Sequence, residues 1–394
     1  MDLLEYQGKQ LFAKHGVSVP RGLHASTVEE AVAAAEKIGY PCVVKAQVAI
    51  GKRGKAGGIK VAADQATARE HCEAILGMDI RGFTVHELWI EEASDIADEH
   101  YASIILDRSE KKLLAIVTAQ GGMDVEEVAE ADPDAVVRRH IEPGVAFGPE
   151  QAAAIVAGAG IAEDVREQVA DLLVELHEVA TTEDATLIEV NPMIVTADRR
   201  VMALDAKVTI DGNALFRHPE LADLSDPSAE DPQEAMAKER GLTYVKLEGD
   251  IGILGNGAGL CMSTLDVVAQ AGGDPANFLD AGGGSKAEAI VDALEVITSD
   301  PKVRAILFNI FGGITRCDEV ASGIIEASKQ IDLRLPLVVR LDGTNSEEGL
   351  RLLAEADIPG LEVSKTMLGA ARRVVELSAD PPAADAEASE GDRR

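Results

Sequence analysis

The chain has 394 residues, of which 46% are hydrophobic and 3% aromatic, and 69 acidic against 37 basic side chains give a formal net charge of -32. This length predicts at least two domains, because it exceeds what one ordinary core holds. Nucleic acids and anionic membranes bind clustered cations, so the charge argues against both as partners, and its self-repulsion predicts adaptation to high salt.

The four cysteines are spaced too far apart for a zinc or redox motif. Cys42, Cys72, Cys261 and Cys317 occur singly, without a C-x-x-C pattern, and we expect buried thiols in a reducing compartment. The first five residues lack the basic and apolar regions of a signal peptide, and no apolar run approaches the length of a membrane span. The sequence therefore predicts a cytoplasmic protein.

Residues 1–217 are expected to form one domain with a mixed sheet. Its apolar runs do not alternate with helical patterns as they do in a regular parallel sheet. Strands are predicted at residues 42–45, 84–90, 103–106, 113–118 and 187–190, and amphipathic helices at residues 151–157 and 163–180.

A lysine at the end of the first of these strands, Lys45, precedes a basic loop. This loop, residues 51–58, places Lys52, Arg53 and Lys55 among glycines. Glycines let main-chain N–H groups approach phosphate oxygens while the cations neutralise them, so the pattern favours polyphosphate binding. It is not a P-loop, because G-x-x-x-x-G-K-[ST] is absent. The alternative is a solvated basic hairpin, which is unusual in so acidic a chain.

Hydrogen-bond acceptors follow a later strand. Glu91 ends an apolar run, and Ser94 and Glu99 come after it. These groups could accept hydrogen bonds from an adenine amino group and ribose hydroxyls, although in isolation they are ordinary surface residues.

A pair of oxygen donors ends two short apolar segments. Asn191 follows Leu187–Val190, and Asp205 comes fourteen residues later, after Val201–Leu204. The intervening polar turn predicts a hairpin that places the two side chains side by side. Mg²⁺ prefers such oxygen ligands, and one or two protein ligands are enough for it. The alternative is that Asn191 merely begins a turn and Asp205 is a solvated loop residue.

Residues 218–240 are acidic and contain three prolines, which predicts a linker or surface arm. Residues 241–378 then alternate regularly, which predicts a doubly wound parallel sheet. Strands are expected at 251–254, 277–279, 305–310 and 337–339, and helices at 260–271, 286–298, 317–329 and 346–356. Residues 379–394 have too little apolar surface to bury and are predicted to be a disordered acidic tail.

Two glycine turns in this second domain lie between a strand and a helix, at residues 255–259 and 312–315. The free N–H groups of two helix N-termini can bind one anion at the carboxyl edge of a parallel sheet. A dinucleotide site is a weaker interpretation, because the third glycine of the first turn is Gly259 and not the sixth residue of the motif. The glycines could also serve the turns alone.

These features resemble an ATP-grasp fold in their order along the chain: a lysine at a strand end, a basic loop, an acidic strand end and the Asn191/Asp205 pair. Longer motifs make the resemblance specific to the beta subunits of succinyl-CoA synthetases. These motifs are Leu4-Glu5-Tyr6-Gln7-Gly8-Lys9-Gln10-Leu11-Phe12, Arg53-Gly54-Lys55-Ala56-Gly57-Gly58, Glu189-Val190-Asn191-Pro192, Asp211-Gly212-Asn213-Ala214-Leu215-Phe216-Arg217, Asn256-Gly257-Ala258-Gly259-Leu260, Asn277-Phe278-Leu279-Asp280-Ala281-Gly282-Gly283-Gly284 and Asn309-Ile310-Phe311-Gly312-Gly313-Ile314.

The resemblance implies an N-terminal ATP-grasp domain, a flavodoxin-like CoA-ligase domain and Mg²⁺ as cofactor. It implies nucleotide contacts from Lys45, Lys52, Arg53, Gly54, Glu91, Ser94 and Glu99, Mg²⁺ ligation by Asn191 and Asp205, and substrate or phosphate binding by Asn256, Gly313, Ile314 and Thr315. Lys52 stands where the family usually has glycine, and Ala49 where histidine is common. The loop contacts and the choice between ATP and GTP therefore stay open.

All eight histidines precede residue 219, so no histidine adjoins the glycine turns of the second domain. A phosphohistidine relay would need its histidine from another chain. The resemblance implies an alpha subunit that supplies this histidine and the coenzyme A site, with succinate, CoA and ATP giving succinyl-CoA, ADP and phosphate reversibly. The alternatives are the same reaction with malate or another acid, a dinucleotide-dependent oxidoreductase and a non-catalytic nucleotide sensor.

Overall fold

The computed structural model describes residues 1–51, 53–224, 231–282, 287–331 and 335–379. Lys52, part of the predicted linker (225–230) and nearly all of the predicted tail (380–394) lie outside the described residues. The chain divides into two compact units between residues 229 and 230, which we call unit 1 and unit 2.

The first part of unit 1 is a four-stranded antiparallel sheet with two helices on it. Its elements, with the helix that precedes them, are α1 (Glu5–Lys14), β1 (Gly22–Ala25), α2 (Val28–Ile38), β2 (Cys42–Gln47), β3 (Ile59–Ala62), α3 (Gln65–Ile75), β4 (Asp79–Ile80), β5 (Phe83–Thr84) and β6 (Glu87–Glu92). The strand order is β1-β6-β2-β3. Thr27 and Asp64 cap the N-termini of α2 and α3 with their side-chain oxygens.

The second part of unit 1 is a larger antiparallel sheet in the order β11-β10-β7-β8-β9, with β12 paired to β10. Its elements are β7 (Ile96–Asp107), β8 (Lys112–Thr118), α4 (Val125–Ala131), β9 (Val137–Ile141), α5 (Pro149–Gly158), α6 (Arg166–Thr182), β10 (Ala185–Thr196), β11 (Val201–Ala203), β12 (Lys207–Ile210) and α7 (Pro219–Ala222). In α6, Val169, Leu173 and Leu176 recur at helical spacing and are fully buried against this sheet.

The predicted hairpin is confirmed. β10 and β11 pair with Met193 opposite Ala203, and extending that register by two residues brings Asn191 opposite Asp205. The hydrogen bond from the Leu204 N–H to the Pro192 carbonyl, 3.2 Å long, continues the ladder in that direction.

Two predictions for this half are wrong: the expected mixed sheet is instead separate sheets whose described strand pairs are all antiparallel, and one expected strand is divided. The single strand expected at residues 84–90 is divided between β5, which pairs with β4, and β6, which pairs with β1 and β2. The predicted linker contains α7 and also α8 (Pro232–Glu239), since each proline occupies the first helical turn, where it is tolerated. Ala237 of α8 is buried in the core of unit 2.

Unit 2 is the predicted doubly wound sheet, with one antiparallel edge strand that the sequence did not indicate. After α8 come β13 (Thr243–Lys246), β14 (Ile251–Gly255), α9 (Ala258–Gln270), β15 (Asn277–Asp280), α10 (Ala287–Thr298), β16 (Ala305–Gly312), α11 (Cys317–Gln330), β17 (Leu337–Gly343), α12 (Ser346–Ala356), β18 (Leu361–Val363) and α13 (Met367–Ala379).

The strand order in unit 2 is β13-β15-β14-β16-β17-β18, and all neighbouring pairs from β15 onward are parallel. The chain runs from β14 outward to β15 and then returns to β16 on the other side. In open parallel sheets a ligand crevice lies at the carboxyl ends of two adjacent strands whose connections lead to opposite sides, here β14 and β16. The fold thus places the turns after β14 and β16 at its expected binding position.

Among the described residues, no helix combines the length and the apolar character needed to cross a membrane. The four cysteines are free and buried, as predicted.

Candidate functional site

A buried network of charges connects α1 to the first sheet of unit 1. The ammonium of Lys45 lies 2.9 Å from Glu5 Oε1 and 2.7 Å from Glu91 Oε1. Lys9 pairs with the same two carboxylates, at 2.9 Å from Glu5 and in a close contact with Glu91. The Trp89 indole also donates to Glu91, at 2.9 Å. All four charged side chains are at least 90% buried, so each depends on the others for charge compensation.

Lys45 also joins this network to the second sheet, because its ammonium donates to the Leu204 carbonyl at 3.0 Å. Burial alone would lower the pKa of Lys45, but Glu5, Glu91 and Asp205 outweigh burial and raise it. Burial would raise the pKa of Glu5, but Arg53, Lys45 and Lys9 hold it well below its ordinary value. Lys45 is therefore a permanent cation in this site.

Arg53 occupies the basic loop but is not a solvent-exposed flap residue. Its guanidinium is 6% exposed, contacts Glu5 closely and donates to the Ala46 carbonyl at 3.1 Å. The other terminal nitrogen binds both oxygens of Asp205, at 2.9 and 3.2 Å. Burial would lower the pKa of Arg53, but Glu5 and Asp205 raise it. The two terminal nitrogens thus bind different carboxylates, and a guanidinium with these donors would equally suit phosphate oxygens.

A pair of glycines positions Asn191. The Gly122 N–H donates to Asn191 Oδ1 at 2.8 Å, and Asn191 Nδ2 donates to the Met123 carbonyl at 2.9 Å. Gly122 has a φ of 72°, and a Cβ on it would lie 2.5 Å from the Glu99 carboxylate. A Cβ on Gly121 would lie 2.3 Å from the His100 carbonyl oxygen. A side chain on Gly121 would meet the His100 backbone, so glycine is required there, whereas at Gly122 the positive φ favours glycine and the end of the exposed Glu99 side chain can move aside.

Of these residues, Glu5, Arg53, Asn191 and Asp205 line a cavity of about 260 Å³. Six carboxylates and two basic side chains line it together with backbone from the basic loop. The lining residues are Asp2, Leu3, Glu5, Val48, Ala49, Ile50, Gly51, Arg53, Asp124, Glu126, Glu189, Asn191, Asp205, Ala206 and Lys207.

The donors in this cavity suit Mg²⁺. Asn191 and Asp205 offer amide and carboxylate oxygens, and Glu189 adds a third oxygen ligand from the same strand as Asn191. Burial raises the pKa of Glu189; nearby Lys207 opposes this effect, while Asp205 reinforces it. Carboxylates crowded enough to perturb one another are stabilised by a bound cation, and a hard ion such as Mg²⁺ takes oxygen ligands.

The structure brings four predicted residues to one place: Lys45, Arg53, Asn191 and Asp205. The other predicted residues of unit 1 are arranged differently. Glu91 is completely buried beneath Lys45, Gly54 is exposed in the turn of the loop, Ser94 is half-buried after β6, and Glu99 is exposed on β7.

Sequence reasoning missed several residues of this site. Glu5 and Lys9 form an i, i+4 pair on α1, which by itself indicates an exposed helix surface. The sequence signal that could have identified both residues was their place in the opening motif, residues 4–12. Gly121 and Gly122, between a strand and a helix, were a second signal that the prediction did not use.

Unit 2 has its own candidate site at the turns after β14 and β16. The Asn256 side chain bridges them, donating to the Phe311 carbonyl and accepting from the Phe311 N–H, each at 2.9 Å. Gly313 and Ile314 are exposed and Thr315 is buried. The helices α9 and α11 begin just after these turns, so their N-terminal N–H groups lie at the carboxyl edge of the sheet.

Asp280 argues against the dinucleotide interpretation. Its Oδ1 accepts the N–H groups of Gly257 and Gly282, at 2.6 and 2.8 Å. The carboxylate therefore stabilises the turn after β14 and is not free to bind a ribose hydroxyl through that oxygen.

The chain was compared with known proteins. Residues 2–195 match the family model of the ATP-grasp domain, and residues 254–374 match that of the CoA-ligase. The ATP citrate lyase from Methanothrix soehngenii has the same fold, with a TM-score of 0.70 at 19% identity over 96% of this chain and 99% of that one.

Two relatives carry the same description. The beta subunit of ADP-forming succinate–CoA ligase from Rubrobacter xylanophilus is 52% identical over 380 residues, which cover 96% of this chain and 99% of the relative. The beta subunit from Halorubrum lacusprofundi is 49% identical over 95% of this chain and 98% of its own length. The resemblance predicted from the motifs is confirmed, and the chain belongs to the family of beta subunits of ADP-forming succinate–CoA ligase.

Proposed function

We propose that unit 1 binds Mg²⁺-bound ATP or ADP and that the chain acts in a heteromeric enzyme that joins succinate to coenzyme A. The observation that carries this proposal is the convergence of Arg53, Asn191 and Asp205 at one cavity, with Lys45 buried next to it against Glu5 and the Leu204 carbonyl. The high identity to named ADP-forming ligase subunits supports the choice of reaction.

Lys45 and Arg53 would stabilise the phosphates of the nucleotide. Glu5 compensates both cations, and Asp205 compensates Arg53. Phosphate oxygens can replace Asp205 as partners of the Arg53 fork, while Glu5 keeps both cations in place. Positioning and charge neutralisation of this kind account for most of the catalysis of phosphoryl transfer.

Asn191 and Asp205 would hold Mg²⁺, with Glu189 as a further oxygen ligand. When bound, the ion would neutralise the charge of the phosphate oxygens. The ion would compete with Arg53 for the Asp205 carboxylate, which would free the guanidinium for phosphate oxygens.

The phosphoryl acceptor is proposed to be a histidine of a partner alpha subunit, because no histidine follows His218 in this chain. In the first step the bond between the β–γ bridging oxygen and the γ-phosphorus breaks as a nitrogen–phosphorus bond forms. The phosphoryl group then passes to a succinate carboxylate, and the thiol of coenzyme A displaces phosphate from the acyl phosphate. The partner would also supply the coenzyme A site.

Asn256, Gly313, Ile314 and Thr315 of unit 2 would bind the carboxylate substrate or the phosphate. Support comes from the helix N-termini of α9 and α11 at the position where doubly wound sheets bind ligands. Nothing in these turns distinguishes succinate from malate, so malate is the second candidate substrate.

Turnover assays of the chain with and without an alpha subunit test this proposal. We expect ADP formation only with the partner present, dependent on coenzyme A and faster with succinate than with malate. Activity of this chain alone would contradict the shared mechanism. A change in nicotinamide absorbance in place of ADP formation would support the oxidoreductase alternative.

A further inference from the structure

A group of three side chains of the types that bind metals lies in unit 1, and none of its members lines the cavity described above. Glu183 follows α6, and His218 and Glu220 lie at the start of α7. A ring nitrogen of His218 and one carboxylate oxygen from each glutamate lie within 4.8 Å of one another. Glu183 is buried, His218 is mostly buried and Glu220 is exposed, so the group opens to solvent on one side.

The hydrogen bonds of His218 fix which of its nitrogens can bind a ligand. Nε2 lies 2.7 Å from Asp184 Oδ2, and a carboxylate only accepts, so Nε2 carries the hydrogen. In the neutral ring, Nδ1 then presents a lone pair. It lies 3.6 Å from Glu183 Oε2, which is too long for a hydrogen bond. With the ring neutral, Nδ1 and Glu183 Oε2 can both offer a lone pair to one ion.

That separation is close to the spacing of two ligands on one metal ion. With metal–ligand distances of about 2.05 Å, two ligands of a tetrahedral zinc site are about 3.3 Å apart. Moreover, histidines that bind metals usually donate their other ring N–H to a carboxylate, as His218 does to Asp184.

Glu183 is oriented in the same way. Its Oε1 lies 2.6 Å from His15 Nε2 and 2.9 Å from the Lys14 ammonium, which leaves Oε2 directed at His218. Lys14 also lies 4.0 Å from Glu220, and its side chain is 55% exposed. Lys14 thus already compensates part of the negative charge of the group, and its exposed side chain can move into solvent when a metal ion binds.

We propose that Glu183, His218 and Glu220 bind a divalent first-row transition ion such as Zn²⁺, with Asp184 and His15 orienting the ligands. A mixed imidazole and carboxylate set favours such ions over Mg²⁺. Three protein ligands leave a fourth position for water. The ion would fasten α7 to the end of α6.

Zinc affinity of the full chain in complex with its alpha subunit tests the site. Competition with a chromophoric chelator would be measured in high KCl and millimolar MgCl₂. Under these conditions K⁺ and Mg²⁺ occupy weak carboxylate sites and the nucleotide cavity. We expect that Glu220→Gln and His218→Gln each weaken Zn²⁺ binding at least about 100-fold, and that Asp184→Asn weakens it by about 10- to 100-fold. Because Glu220 is exposed, its variant keeps the test valid if His218→Gln fails to fold.

His140→Gln is the matched control. His140 also pairs with a single carboxylate, Asp107, at 2.8 Å, and it belongs to no group of three donors among the described residues. Its zinc affinity should equal that of the unmodified protein. Equal affinity of Glu220→Gln and the unmodified protein would overturn the proposal. Visible absorption of bound Co²⁺ that is unchanged by Glu220→Gln would also overturn it.

Discussion

The substitution Glu5→Gln tests the buried charge network directly. Three buried cations, Lys9, Lys45 and Arg53, face three carboxylates: Glu5, the buried Glu91 and the partly exposed Asp205. Glu5 is the one carboxylate that contacts all three cations. Removing its charge leaves one positive charge uncompensated in a water-poor environment, and breaking a buried pair in this way destabilises a protein by about 3–5 kcal/mol.

The assay is differential scanning calorimetry of the nucleotide-free protein. At about 2–4 °C per kcal/mol for a unit of this size, the unit 1 transition should fall by about 6–20 °C. The matched control is Glu29→Gln, in the first turn of α2, where the glutamate is 76% exposed and lies 3.5 Å from Arg69. A surface pair of this kind contributes about 0–1 kcal/mol, so that transition should hardly move.

Two further outcomes distinguish charge imbalance from simple loss of packing. Adding Lys9→Met to Glu5→Gln restores the balance of charges and should recover part of the lost stability. Mg²⁺-ADP supplies negative charge beside Lys45 and Arg53, so it should stabilise the variant more than the unmodified protein. A loss below about 1 kcal/mol for Glu5→Gln, equal to that of the surface control, would refute the reasoning.

Four other predictions follow from the structure. Gly121→Ala should impair nucleotide binding through its clash with the His100 backbone, measured by calorimetric titration, whereas Gly212→Ala, with no atom within 4 Å of its Cβ, should leave nucleotide binding unchanged. Glu189→Gln should raise the melting temperature in EDTA and reduce the stabilisation by Mg²⁺, because burial already disfavours the ionised carboxylate and raises its pKa. The lowered pKa of Glu5 means that its stabilisation is complete above its ordinary pKa of 4.5 and is lost as the pH falls through the folded-state value, so acid unfolding should be less steep in Glu5→Gln. Raising KCl from 0.05 to 1 M should raise the melting temperature, since salt screens the self-repulsion of a chain with a net charge of -32; an unchanged or lower melting temperature would contradict this.

The fold of unit 2 could be predicted closely because its signals are local. Each glycine turn separates a strand from an amphipathic helix, and the helix at Ser346–Ala356 begins and ends where the sequence indicates. The edge strand β13 was missed, since its pairing with β15 depends on residues more than 30 positions away. The helices α7 and α8 within the predicted linker were missed because a proline at the start of a helix and a proline in a loop look alike in sequence.

The candidate site shows the same division between local and distant information. Asn191 and Asp205 could be placed together because one short hairpin carries both. Glu5 lies about 200 residues from Asp205, and neither residue alone indicates that Arg53 binds both. The sequence indicates which side chains carry charge, but their burial depends on packing between distant elements, and burial is what makes this network energetically important.

Transfer of ³²P from [γ-³²P]ATP to the alpha subunit tests the central claim most directly. With Mg²⁺ present, the unmodified chain should label a histidine of its partner. Asp205→Asn should slow labelling by at least about 100-fold without preventing association, whereas the exposed control Asp171→Asn on α6 should label at the normal rate. Label on this chain itself, or normal labelling of the partner by Asp205→Asn, would contradict the account.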